Sequence, residues 1–414
     1  MNARVLVALV ALTACPSSPP ESTETDTGEP PDNGPSLVNG CAEDDLEACV
    51  YTPVVTASAG GFKTGSLEID YRNEHGDRTI AVEVRLPDPA PTEPAPVVLW
   101  SHGGSKGRDD ATTVGVEVGQ VLNAAGYIAV MIGHTRRDRT GYRSLCEDLG
   151  LTADDCAASP CDATSVCERT VDGEEEKGSC FVDEGEDTGV CGYYKHLYYD
   201  RAQDVRAVLD WIETQNASGT AAGSFDLERI AYAGHSGGSG GTFMVAGATR
   251  SFAGVPTLVA DPRPIAFFSG SPQGPGTAGF DEDSYSGAGC TALAPDAEFP
   301  CLTRPHLVMT GDGDVTDEHV PESRRKAYDT LREGDKMLAY LLEDGAGHNT
   351  FQLKPDACDS SVGADRCLAI QGALGGVLQA FLDAHVRDAP EARAYLDSDN
   401  AMLLLGGDLE TQRK

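Results

Sequence analysis

The stretch that most constrains the fold is Arg229–Gly247, RIAYAGHSGGSGGTFMVAG. It reads as a short buried strand over Ile230–Ala233, an abrupt turn, and the start of a helix built from small residues. The turn holds Gly234-His235-Ser236-Gly237-Gly238, a match to G-x-S-x-G. A serine on a tight strand-to-helix turn projects its hydroxyl beyond the sheet edge, and the glycines around it let backbone pass close by. The helix that follows aims free N–H groups at the serine, where negative charge on a reacting oxygen is stabilised. In a chain with 47 glycines the five-residue pattern says little alone; its place between a strand and a helix gives it weight.

The rest of the chain alternates around this stretch. Leu67–Tyr71 and Arg78–Leu86 alternate apolar and polar residues as strands do, with the turn-like Asn73–Asp77 between them. Val97–Trp100 is a continuous apolar run typical of a buried parallel strand, Val114–Ala125 fits a helix, and Tyr127–Gly133 is a second buried strand. In Asp200–Thr214, Val205, Val208, Leu209 and Ile212 share one helix face, and Asp200 with Gln203 forms a capping box. Further strands are expected at Ile265–Ser269, His306–Thr310 and Met337–Leu342, and helices at Pro321–Arg332 and Leu368–Val386. This is an α/β pattern, a mainly parallel sheet with helices on both faces and the first two strands antiparallel at one edge. It places one domain at 41–390 and leaves 391–414 as a tail. Two segments interrupt it. Arg136–Gly192 is acidic and cysteine-rich, and its disulfides must stabilise it. Ser271–Arg304 is a Gly/Pro/acid-rich, lid-like excursion, polar apart from Phe280 and Phe299.

The first residues, MNARVLVALVALTAC, carry one Arg, an apolar run over Val5–Leu12 and then small residues. That run is too short to span a bilayer and reads as a signal peptide over 1–14. Leu12-Thr13-Ala14-Cys15 resembles a bacterial lipobox, which implies a lipidated Cys15 and placement on the outer membrane or cell surface. The following segment to residue 40 opens with the Pro/Ser/Thr/acid-rich Pro16–Pro35, which cannot bury a core and suits a tether. The formal net charge of −35 argues against nucleic acid and anionic membrane surfaces as partners, so membrane attachment is expected through the lipid anchor alone.

Leaving Cys15 aside, the cysteines are even in number, as expected of disulfides in an oxidising compartment. Three close pairs stand out, Cys41/Cys49, Cys290/Cys301 and Cys358/Cys367, while Cys146, Cys156, Cys161, Cys167, Cys180 and Cys191 all fall in the insertion. No C-x-x-C occurs and the histidines do not interleave with the cysteines, so no metal is expected. The spacing of Cys161, Cys167 and Cys180 loosely resembles part of an epidermal-growth-factor-like module.

A serine hydroxyl needs a base for its proton, a carboxylate to orient that base, and donors for the oxyanion. Two downstream strand ends supply candidates. Gly311-Asp312-Gly313-Asp314 follows one strand and Glu343-Asp344-Gly345-Ala346-Gly347-His348 the next. The order Ser236, Asp314, His348 is then nucleophile, acid, base, with Asp312 the competing acid. Asp312, Asp314 and Asp317 also invite a calcium reading, although the EF-hand spacing is not met. Oxyanion donors are expected at the Gly237 N–H and in the loop Ser101-His102-Gly103-Gly104, at Gly104 or alternatively Ser105.

The runs PVVLWSHGG, GYIAVMIGH, RAQDVRAVLDWI, RIAYAGHSGG, TGDGD and GAGH together resemble the predicted dienelactone-hydrolase branch of the α/β hydrolases. That branch also resembles platelet-activating-factor acetylhydrolases and secreted polyester hydrolases. The resemblance covers roughly Ser66 to Val386 and implies a serine carboxylic-ester hydrolase that needs no cofactor, with Ser236, Asp314, His348, Gly237 and Gly104 in the roles above. Dienelactone hydrolases themselves use a cysteine where this chain has Ser236. The expected substrate is a small or polymeric ester, short or polar. The rivals are a lipid-acting acetylhydrolase or phospholipase-like enzyme, and an inactive surface protein that binds a partner through its cysteine-rich insertion.

Overall fold

Strands that are apolar in unbroken runs must be covered on both faces, and the chain does this with one large sheet between two helical layers. The computed structural model describes residues 36–414 apart from 59, 74–75, 105–106, 136–165, 172–173, 183–188, 192–195, 219–224, 253–254, 278–279, 295–300, 317–318, 355–356 and 359. Of 72–78, 166–182, 189–191, 196–197, 218, 251–252 and 255 it describes the backbone only, 74–75 and the other gaps excepted. The leader, Cys15 and the Pro-rich stretch therefore lie outside the described residues.

The strands in chain order are β1 (Leu67–Asn73), β2 (Gly76–Arg85), β3 (Ala95–Ser101), β4 (Ile128–Ile132), β5 (Val166–Val171), β6 (Glu174–Val182), β7 (Gly189–Cys191), β8 (Phe225–His235), β9 (Thr249–Phe252), β10 (Val255–Leu258), β11 (Pro264–Gly270), β12 (His306–Gly311), β13 (Lys336–Leu341) and β14 (Leu409–Arg413). The helices are α1 (Val116–Ala124), α2 (His196–Ser218), α3 (Gly237–Ala246), α4 (Ala288–Leu293), α5 (Pro321–Asp329), α6 (Ala364–Val386), α7 (Pro390–Leu396) and α8 (Asn400–Leu404). The nine-stranded sheet runs β1-β2-β4-β3-β8-β11-β12-β13-β14. Its centre, β4 through β13, is parallel; β1 and β2 add an antiparallel edge, and β14 adds another at the far side. This is the α/β-hydrolase fold.

Alternation along each strand divides the core. Val98, Trp100, Ala129, Met131, Leu307 and Met309 face the layer of α1 and α6. Val97, Leu99, Ile128, Val130, Ile230 and Tyr232 face α2, α3 and α5. Helix α6 is long and apolar because it is a core element, with Ile370, Leu374, Leu378 and Phe381 wholly buried. Each such side chain contributes about 1.5–3 kcal/mol on leaving water.

Three expectations are corrected. Residues 391–414 are not a tail: α7 and α8 lead into β14, which pairs with β13 from Leu341↔Leu409 to Met337↔Arg413. Short helices and an edge strand leave too weak a periodicity to read without the partner strand. Residues 36–40 do not belong to a tether either, because Ser36 N–H donates to Asp399 Oδ2 at 2.7 Å and Asn400 Nδ2 to Val38 O at 3.0 Å. Finally, Asp200 caps no helix. It lies inside α2, which starts at His196, and is fully buried.

Cys41–Cys49, Cys290–Cys301 and Cys358–Cys367 are disulfides, as the pairing by proximity anticipates. In the insertion, β5, β6 and β7 form a small antiparallel sheet, in which Cys180 and Cys191 are register partners. In the lid-like excursion the described aromatic side chains are anchored in the core. Phe280 and Tyr285 are buried, and Tyr285 stacks on Phe243 at 4.2 Å between centroids.

Candidate active site

The serine turn is built by close approach. A Cβ on Gly234 would stand 2.5 Å from the Gly238 carbonyl carbon, and one on Gly238 would stand 2.1 Å from Ser101 O. Any larger residue at either position would push β8, α3 and β3 apart. Ser236 itself sits at φ 51°, ψ −117°, a strained conformation for a residue with a side chain. Its N–H donates to Gly270 O at 2.9 Å, and it stays partly open while its neighbours are buried.

The acid and base come from the ends of the next two parallel strands. Asp314, fully buried, follows β12; Thr310 Oγ1 donates to its Oδ2 at 2.8 Å, and Arg324 Nε of α5 stands 3.0 Å from its Oδ1. That same Oδ1 is 2.8 Å from His348 Nδ1. The His348 side chain keeps 20% exposure, so Nε2 is the ring nitrogen turned from Asp314. Asp312 serves elsewhere, accepting the Tyr340 hydroxyl at 2.7 Å. The His348 carbonyl is held by two donors, His235 Nε2–H at 2.9 Å and Ser271 Oγ–H at 3.0 Å. Burial pushes the His235 imidazole well below its ordinary pKa. It is therefore neutral at neutral pH, with its proton on the nitrogen that faces the His348 carbonyl.

The loop after β3 lies against the serine: a Cβ on Gly103 would stand 2.8 Å from Ser236 Cβ. Gly104 has φ +79°, and its carbonyl oxygen is 3.5 Å from where a Gly237 Cβ would be, so the two glycines expected to supply donors are neighbours. The His102 ring sits between Gly103 O at 2.7 Å and Gly133 O at 3.0 Å. Burial, aided by the charge of Arg201, pushes its pKa down to about 4. A neutral ring donates to one of these carbonyls only. Ser105 and Asp317 lie outside the described residues.

Sequence reasoning missed the polar groups beneath this surface. His134 Nδ1 is 2.9 Å from Asp204 Oδ2, and its Nε2 is 2.8 Å from Ser101 Oγ, which also accepts the Tyr232 hydroxyl at 2.8 Å. This serine–histidine–aspartate chain is wholly buried and ties β3, the end of β4, β8 and α2 together. Arg201 and Arg324, both fully buried, were missed as well. A signal existed: Arg201 and Asp204 fall on the same helical face as Val205 and Val208, where an apolar residue is the default.

No protein-family model matches the chain, and no curated protein does. Among solved structures, the chain is similar to the ferulic acid esterase from Streptomyces cinnamoneus. Sequence identity is 18%, the match covers 82% of this chain and 94% of that one, and the TM-score is 0.45. The fold assignment rests on the strand order and the serine turn.

Proposed function

We propose that this protein is a serine hydrolase of carboxylic esters. The observation that carries the reading is the 2.8 Å contact of His348 Nδ1 with buried Asp314, made at the same sheet edge as the strained Ser236 turn. In this reading Ser236 Oγ attacks the ester carbonyl while His348 Nε2 takes its proton. Asp314 holds the imidazole in the tautomer that leaves Nε2 able to accept. The N–H groups of Gly237 and Gly104 receive the negative charge on the carbonyl oxygen. His348 then gives the proton to the leaving alcohol, and water, deprotonated by the same nitrogen, releases the acid from Ser236. No cofactor takes part in these steps.

Short or polar esters are the proposed substrates, acted on outside the cytoplasm by a protein held through a lipidated Cys15. The disulfides among the described residues support export. The test is labelling of the mature, oxidised protein with a fluorophosphonate probe beside Ser236→Ala, followed by hydrolysis of p-nitrophenyl esters from acetate to palmitate. Labelling lost in the variant, with turnover favouring acetate and butyrate, is expected. A folded wild-type protein that takes no label sinks the reading, and a preference for palmitate replaces it with a lipid-acting enzyme.

A further inference from the structure

We propose that Arg201 is a positioning residue for the oxyanion loop, clamping the peptides on either side of the Gly104 N–H. The proposal rests on the serine-hydrolase reading and assigns a role within that site. Arg201 is fully buried on α2. Its Nη1 donates to His102 O at 2.8 Å and its Nη2 to Gly104 O at 3.0 Å, so one planar guanidinium spans the loop. The carbonyl between these two, Gly103 O, faces His102 Nδ1 at 2.7 Å. The peptide planes before and after the one that carries the Gly104 N–H are thereby both held by Arg201.

The need for such a clamp follows from the sequence. Gly103-Gly104 is the pair of residues with the widest backbone freedom, and an oxyanion donor acts only if it is already in place when charge develops. Arg201 also reaches the other donor, since a Cβ on Gly237 would stand 3.0 Å from its Nη1. A fixed positive charge therefore lies beside both glycines.

The helix that carries the arginine is tied to the start of the same loop. One turn along α2, Asp204 binds His134, which binds Ser101, the residue directly before His102. A lysine at 201 could supply the charge but not the planar fork that engages two carbonyls at once.

The experiment uses the full chain with Arg201→Lys and Arg201→Gln. Turnover of p-nitrophenyl butyrate is expressed per site labelled by prolonged fluorophosphonate treatment, so that only folded molecules count. Phenylboronic acid, which forms a tetrahedral adduct on the serine, reports the oxyanion site directly. Loss of the clamp is expected to lower kcat by about 100-fold, with KM moving by less than about threefold. Boronate affinity should weaken in parallel, and the lysine variant should recover little. A lysine or glutamine variant with wild-type kcat and boronate affinity overturns the assignment, as does a loss confined to KM. If Ser236→Ala keeps its activity, or the wild type takes no label, the serine-hydrolase reading falls instead, which separates the two failures.

Discussion

Arg324 and Asp314 form an ion pair in which neither side chain touches solvent, and the carboxylate oxygen bound by Arg324 at 3.0 Å is the one that holds His348 at 2.8 Å. The same guanidinium donates to Asp314 O at 2.9 Å and to the carbonyls of Ser271 and Pro272 at 2.9 and 3.0 Å. The acid turn, the loop after β11 and α5 are thus joined at one buried cation, whose own pKa burial lowers against the pull of Asp314.

Removing that cation leaves a buried carboxylate short of a partner and three carbonyls without a donor. Arg324→Met is expected to destabilise the protein by about 3–5 kcal/mol, read by urea unfolding. A loss below about 1 kcal/mol would show that the pair is no better than an exposed one.

The two aspartates of the turn after β12 should separate cleanly. Asp314→Asn keeps the shape but presents an amide to His348 Nδ1, and kcat is expected to fall by about 10⁴-fold, as when a triad carboxylate imposes the tautomer. Asp312→Asn alters the partner of Tyr340 only and should leave kcat within about threefold. Steady-state kinetics on p-nitrophenyl butyrate decides, and equal losses in both variants would remove Asp314 from its assigned role.

Deleting residues 408–414 strips β14 from β13 and removes Leu409, which is fully buried. A row of unpaired backbone groups on an apolar edge strand then meets solvent. The shortened chain should melt at a lower temperature than the full one and scatter light on heating. An unchanged melting profile would show that the β14 pairing adds nothing to stability.

Burial lowers His102, His319 and His385 from 6.5 to about 4. Between those values the unfolded chain binds protons that the native one refuses, so stability falls as pH drops from 6.5 towards 4 and these groups add no slope above it. The melting temperature is therefore expected to decline between pH 6.5 and 5, where most carboxylates are still ionised. A flat profile over that interval would mean that these rings accept protons without loss of structure.

What the sequence determined by itself was local. Unbroken apolar runs required strands covered on both faces, and the glycines around Ser236 required a turn too tight for any other residue. The pairing of Asp314 with His348 was legible because each follows a readable strand, and close cysteine pairs were legible because short loops close easily. Tertiary structure decided whatever depends on partners distant in sequence. It turned Asp312 to Tyr340 and left Asp314 to His348, closing a choice between two residues of one turn that the sequence had left open. It gave residues 409–413 a strand's role, since an edge strand is defined by the neighbour that accepts it. It also placed Arg201 and Arg324 inside the protein, where carbonyls from loops many residues away, and for Arg324 the Asp314 carboxylate, converge on the cation.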